Sequence, residues 1–259
     1  MSDSIFLYLS LVTAGFLAGL LDAIVGGGGL IQVPALFSAF PSALPSTLFG
    51  TNKLSGIFGT AIAARTYWKK YPVDWQLVLP ASLSALVFAF VGAWAITIFP
   101  PDVFRKLLPF ILLLVALYVF RRKDFGGDYA PTKAGVKKLL LAFAIGAAIG
   151  LYDGFFGPGT GSFLIFLFIR GFGLDFLRAS AAAKIVNVAC NFAALAWFIP
   201  TSQPLWIVAA LMGAGNIAGS VIGARLALKE GTGFVRRVFL LVVIALIVKT
   251  GWDAFDIRA

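Results

Sequence analysis

Four ionisable side chains stand inside apolar stretches of the sequence. Asp22 and Asp153 each come four residues before a glycine-containing break, and Lys53 and Lys184 follow further along. Charged residues within membrane-spanning segments usually face a partner or a water-filled cavity, and they mark substrate or ion pathways. We therefore expect the two lysines to bind an anion. The alternative is that each lysine extends its side chain back to the membrane interface.

Polar amides accompany both lysines. Asn52 directly precedes Lys53. Asn187 comes three residues after Lys184, and Asn191 comes four residues after Asn187. Side chains at this spacing share one helix face, so Lys184 and the two asparagines would point the same way. We predict that these five residues contribute to substrate binding.

The two carboxylates allow three interpretations. They could form ion pairs that neutralise the lysines, with Asp22 as the companion of Lys53. They could cap helix ends exposed by the glycines, or they could be protonatable groups that couple transport to protons. Pairing or capping is favoured over coupling for Asp22 and Asp153.

The glycine breaks are the sequence feature that must position these side chains. Four glycines follow Val25, and Gly157–Gly161 forms the second break. Glycine costs about 1 kcal/mol relative to alanine in a helix interior, so a helix should end at each break. A helix that starts after the break offers free N–H groups and a positive dipole end to an anion. Close helix packing through small residues is the alternative. We expect a substrate-binding role for six residues here: Gly27, Gly28, Gly29, Gly159, Thr160 and Gly161.

Composition indicates an all-α polytopic membrane protein. The 259 residues are 60% hydrophobic and 12% charged, whereas soluble domains carry about 25% charged residues. Several apolar runs approach the roughly 20 residues that a spanning helix needs. The net charge of +10 falls between these runs, as expected for cytoplasmic loops rather than for nucleic-acid binding. With no histidine and one cysteine, we expect no cofactor and no metal.

The chain reads as two related halves. A displacement of 131 residues aligns Asp22 with Asp153 and Lys53 with Lys184 without a gap. We expect an N-terminal transmembrane repeat over residues 1–123, a basic cytoplasmic linker over 124–138 and a C-terminal transmembrane repeat over 139–259. Each repeat would hold a glycine-broken helical segment and three full spans, giving about eight to ten helices that cross or enter the membrane.

Loop charge predicts that the repeats are inverted. If basic loops are cytoplasmic, the turn after the break lies outside in the first half (residues 41–46) and inside in the second (170–178). Both termini then lie outside a plasma (inner) membrane. Whether the broken segments cross fully or re-enter is left open.

Three segments resemble one family. Asp22–Gly29, Gly50–Lys53 and Tyr152–Ser162 look like the corresponding motifs of the TauE/SafE membrane transporters, and the similarity runs over nearly the whole chain. The resemblance implies transport of sulfite or of organosulfonates such as sulfoacetate. The chain carries Ala181–Ala183 where some members have a turn of the Ala-Thr-Ser type.

Together these observations predict a secondary transporter of a small anion, and not an enzyme. It would work by alternating access between the two inverted repeats, with one half rocking against the other. The first break is followed by Leu-Ile-Gln rather than by the Lys and Ser/Thr of a nucleotide-binding loop. A passive anion channel is an alternative, and a membrane-embedded enzyme is a weaker one. Expected partners are the anion, a coupling proton or ion, and the bilayer. Substrate identity, direction, coupling ion and oligomeric state stay open.

Overall fold

The computed structural model describes residues 2–121 and 135–256. Within that part, side chains are described except at 2–4, 109, 115–121, 232, 233 and 235–256. The described residues form helices joined by short connections and contain no strand, so the expected all-α architecture is confirmed.

Each half contributes a short helix flanked by long ones. The first half consists of α1 (Ser2–Val25), α2 (Gly29–Ala39), α3 (Pro45–Lys70), α4 (Trp75–Ile98) and α5 (Pro101–Arg121). The second half consists of α6 (Gly135–Phe155), α7 (Thr160–Phe172), α8 (Phe176–Ser202) and α9 (Trp206–Asp256). The backbone of α9 is interrupted at Gly231, which has a φ of 73°.

The displacement seen in the sequence recurs in the helix boundaries. The helices α2 and α7, α3 and α8, and α4 and α9 each begin 131 residues apart. Local signals fix these starts: Pro45 opens α3, as proline favours a first helical position. Asp74 and Asp175 cap α4 and α8, each accepting a hydrogen bond from a backbone N–H in the first turn.

Five of the described helical segments are long and apolar enough to span a membrane: Ile5–Val25, Trp75–Ile98, Gly135–Phe155, Phe176–Ser202 and Trp206–Gly231. The chain is therefore built as a multi-pass membrane protein. With 11 and 13 residues, α2 and α7 extend only about 16 and 20 Å, against about 30 Å of hydrocarbon.

One expected span has an unusual composition. α3 has 26 residues, enough for about 39 Å of helix, yet it is not among those five. It carries buried Thr51, Asn52, Lys53, Ser55 and Thr60, so its polar face is turned into protein rather than lipid. The last apolar run of the sequence, Phe234–Trp252, is also expected to span the membrane, and it lies almost entirely where side chains are not described.

The halves interlock rather than lie side by side. The most extensive helix contacts are those of α1 with α9 and of α6 with α4, so each half receives the first helix of the other. Glycines allow this close approach, because a Cβ at any of them would overlap the facing backbone. The facing pairs are Gly15 with Met212, Gly19 with Asn216, Gly146 with Ala81 and Gly150 with Ala85.

An aromatic cluster, which we call the phenylalanine cluster, joins α2, α3, α5 and the second break. It consists of Phe37, Phe49, Phe104 and Phe156, whose neighbouring ring centroids lie 5.4–6.3 Å apart. Phe49 lies one helical turn before Lys53 on α3, so the cluster fills the space between Lys53 and the end of the bundle where α3 begins.

The expected linker overlaps the start of α6. Residues 135–138 are helical, because α6 begins at Gly135. Residues 124–134 lie outside the described part of the chain.

Candidate functional site

The two glycine breaks lie against each other. Gly26 has a φ of +80°, and a Cβ at this position would overlap the backbone of Gly161. The N–H of Ser162 donates to the carbonyl of Gly26 at 3.2 Å, and the Ser162 hydroxyl donates to the carbonyl of Val25 at 2.7 Å. Only glycine combines this conformation with this approach. The breaks predicted from sequence are thus parts of one structure.

Both short helices begin at this contact. Gly28 precedes α2 and Gly159 precedes α7, and neither helix start is capped by a side chain. The positive end of each helix dipole lies here. Four of the first N–H groups already donate to carbonyls of the breaks, namely those of Leu30, Ile31, Thr160 and Ser162. Two uncapped helix starts therefore adjoin one small region.

That region contains a polar cavity of about 40 Å³. A water needs about 10–15 Å³ on this measure, so the cavity has room for a few waters or one small ion. Eleven of the residues expected from sequence line it: Asp22, Gly28, Gly29, Asn52, Lys53, Asp153, Gly159, Thr160, Gly161, Asn187 and Asn191. Two expected residues, Gly27 and Lys184, do not line it.

Lys53 forms a buried ion pair. Its ammonium group donates to the Oδ2 atom of Asp153, and the two side chains are only 3% and 2% exposed. Both residues line the cavity. The cation that would face an anion is therefore already paired with a carboxylate.

Lys184 lies behind the cavity wall. Its ammonium group donates to the backbone carbonyl of Asp22 and lies 3.9 Å from the Oδ2 atom of that residue. It also lies 5.7 Å from the centre of the Tyr67 ring, a cation–π distance. Asp22 accepts a second hydrogen bond, at 3.1 Å, from the hydroxyl of Thr60.

Each ion pair joins the two halves. Lys53 pairs with Asp153, and Lys184 pairs with Asp22. The expectation that Asp22 accompanies Lys53 is wrong. The two breaks contact each other across the halves, and Asp22 reaches Lys184 of α8 while Asp153 reaches Lys53 of α3.

Amides complete the lining. Asn52 comes from α3, Asn187 and Asn191 come from α8, and Gln32 and Asn216 come from α2 and α9. The Oδ1 atoms of Asn52 and Asn216 and the Nε2 atom of Gln32 are buried and have no hydrogen-bond partner among the described residues. Buried polar atoms are nearly always hydrogen-bonded, so these atoms suit a ligand or water in the cavity.

Sequence reasoning missed Gln32, Thr60 and Asn216. A signal was present for two of them, because Gln32 and Asn216 are each the single amide side chain of a helix and lie in an apolar part of it. Thr60 gave no such signal in the sequence. A threonine within a helix needs no outside partner, because its hydroxyl can hydrogen-bond to the carbonyl four residues earlier in the same helix.

Comparison with known proteins gives consistent results. Residues 11–250 match the family described as "Sulfite exporter TauE/SafE". The chain is 38% identical to "Probable membrane transporter protein ORF9" of Sinorhizobium sp, over 92% of this chain and 90% of that protein. It is 32% identical to "Probable membrane transporter protein" of Haemophilus influenzae, over 94% of each chain.

A third relative is "Probable membrane transporter protein YfcA" of Escherichia coli K12, 31% identical over 92% of this chain and 87% of its own length. No solved structure matches the chain significantly. The relatives are named as transporters, and the family is one of transporters rather than enzymes. The chain belongs to the TauE/SafE family of membrane transporters.

Proposed function

We propose that this protein is a secondary transporter of a small anion, with sulfite or an organosulfonate as the substrate. The observation that supports it best is the polar cavity where the two breaks meet. Lys53, the amides and two helix starts face one space there, and each supplies positive charge or hydrogen-bond donors. The family description names a sulfite exporter.

Cavity size favours a small substrate. A volume of about 40 Å³ suits sulfite, which has four heavy atoms, better than sulfoacetate. An organosulfonate would need the cavity to widen. Sulfite is therefore the first substrate to test.

Contacts at the two ends of the bundle support inverted repeats. At one end, Arg105 donates to the carbonyl of Ala43, and Thr47 donates to the carbonyl of Ser202 at 2.5 Å. The turn after α2 therefore lies at this end, which we call face one.

The opposite end, face two, holds the turn after α7. There Lys70 donates to the carbonyl of Leu228 at 3.2 Å, and Lys138 pairs with Asp74. A Cβ at Gly171 would lie 3.3 Å from the Leu141 side chain near the start of α6. Most of the described basic residues at the ends of the bundle lie at face two, whereas face one has Arg105 and Lys106. Face two is therefore cytoplasmic under the positive-inside bias. Both termini are then external, in a plasma membrane.

Alternating access would use the short helices as the moving parts. The glycine-mediated contacts of α1 with α9 and of α6 with α4 hold the long helices of the two halves together. Rocking one half against the other would break these contacts. Movement of α2 would instead withdraw Phe37 from the phenylalanine cluster and open the cavity toward face one.

Counterflow in proteoliposomes tests this function. Vesicles loaded with sulfite should accumulate labelled sulfite faster than empty ones, because a transporter exchanges its bound substrate. The matched control is the Lys53→Gln variant, which should show neither uptake nor acceleration. Sulfite uptake without acceleration by internal sulfite would identify a passive channel.

A thermal-shift comparison of sulfite, sulfate, thiosulfate, taurine, sulfoacetate and simple carboxylates would rank substrates.

A further inference from the structure

The cavity has no net positive charge with which to hold an anion. Three of its lining residues are ionisable: Asp22, Lys53 and Asp153. Lys184 neutralises Asp22 from behind the wall, so two cations and two anions cancel. An anion that entered this buried space would add a charge with no counterpart, which is strongly unfavourable.

One of the two carboxylates is placed to release a cation. Asp153 holds Lys53, and both side chains line the cavity. Neutralising Asp153 would therefore free an ammonium group that already faces the substrate space. Neutralising Asp22 would free Lys184, which does not line the cavity and retains the backbone carbonyl of Asp22 as an acceptor.

We propose that Asp153 takes up one proton when the anion binds, and that Lys53 then pairs with the anion instead of with Asp153. This inference rests on the proposed function and adds its coupling ion. The proton comes from water on the open side, joins a carboxylate oxygen of Asp153, and leaves when the anion leaves. No covalent bond to the anion forms or breaks. The protein then moves one proton with each anion in the same direction.

The surroundings of Asp153 suit this exchange. Lys53 on α3 faces it, the Cys190 thiol on α8 is within electrostatic range of both residues, and Asp22 lies elsewhere on the cavity wall. Tyr152 on the same helix is also within electrostatic range, but its hydroxyl donates to the carbonyl of Pro158 at 2.5 Å. Among the described residues, Lys53 is thus the one cation paired with Asp153.

Binding of methanesulfonate at different pH values tests the proposal. This sulfonate keeps its charge between about pH 5.5 and 8.5, whereas sulfite takes up a proton itself in that range. We expect the affinity of the purified protein to fall up to about tenfold per pH unit as pH rises, since one proton is bound with the anion. Asp153→Asn should bind equally well across the range, at the low-pH affinity of the unaltered protein.

Two matched variants sharpen the test. Asp22→Asn changes the equivalent position of the other half and shows whether the proton belongs to Asp153 or to Asp22. Asp74→Asn, at the surface pair with Lys138, lies outside the cavity and should retain the pH dependence. Loss of the dependence in Asp22→Asn but not in Asp153→Asn would overturn the assignment.

The remaining outcomes separate the coupling from the function. Binding of the same strength at every pH in the unaltered protein would refute proton coupling and leave anion transport standing. Absence of binding of both methanesulfonate and sulfite at every pH would refute the anion site and the coupling together. If Asp153→Asn does not fold, calorimetry of the unaltered protein in two buffers of different ionisation enthalpy decides the matter. Uptake of about one proton per anion is expected, and uptake of none would contradict the proposal.

Discussion

The two lysine–aspartate pairs occupy equivalent positions in the halves but differ in what they face. Lys53 and Asp153 border the cavity, whereas Lys184 lies behind Asp22. Removing one member of a buried ion pair leaves an unpaired charge and typically costs about 3–5 kcal/mol. Loss of binding in a single variant could therefore reflect loss of folding.

A double substitution separates the two effects at Lys53. We expect Lys53→Gln alone to lower both the unfolding temperature and the anion affinity, because Asp153 loses its partner. Adding Asp153→Asn removes the remaining charge, so the unfolding temperature should recover while binding stays absent. Thermal unfolding in detergent and sulfite binding measure the two properties. Recovery of binding in the double variant would show that Lys53 does not contact the anion.

The polar residues of the site were only partly accessible to sequence reasoning. Asp22, Lys53, Asn187 and Asn191 stood out because they are polar within apolar helices. The sequence does not show which lysine pairs with which aspartate. Aligning the two halves identifies equivalent residues, but it says nothing about contacts between the halves. Gln32 carried a similar signal but lacked a neighbouring charge.

At the scale of helices, the closest backbone approach between the breaks is that of Gly26 and Gly161. Gly26 combines a positive φ with backbone contact to Gly161, while a Cβ at Gly27 would meet only the Leu30 and Val25 side chains at 3.6 and 3.9 Å. The two neighbouring glycines therefore have different requirements.

Gly26→Ala and Gly27→Ala form a matched comparison. We expect Gly26→Ala to destabilise the fold by about 1–3 kcal/mol through backbone strain, with further loss from the overlap, and to abolish anion binding. Gly27→Ala should bind nearly as the unaltered protein does, because the added methyl group makes ordinary contacts. Thermal unfolding and sulfite binding measure both variants. Equal effects of the two substitutions would contradict the specific role of Gly26.

Helix existence and type followed from the sequence more readily than helix pairing. Long apolar runs and proline or aspartate at their starts predict helices such as α4 and α8 directly. The packing of α1 against α9 of the other half does not follow from the sequence of either helix. The glycines of α1 show only that the backbone of some other segment approaches closely. The partner of that backbone is a property of the whole chain.

At the scale of the molecule, the proposed inverted arrangement predicts opposite exposure of the two turns that follow α2 and α7. In a Cys190→Ser background, we expect a membrane-impermeant thiol reagent to label Ser42→Cys in intact cells. Arg170→Cys and Lys69→Cys should react only after permeabilisation, because both lie at face two. Each of the three positions is exposed. Labelling of Ser42→Cys and Arg170→Cys from the same side would refute inversion.

The interlocked halves also constrain how the protein is made. The helix α1, with its glycine face, is among the first segments to leave the ribosome. The surface of α9 around Met212, against which that face packs, is synthesised much later. Until α9 is synthesised, the glycine face of α1 has only lipid or transient neighbours to contact. The packing of α1 against α9 is therefore completed late in synthesis. A chain that stops after the first half lacks the helix against which its own first helix packs.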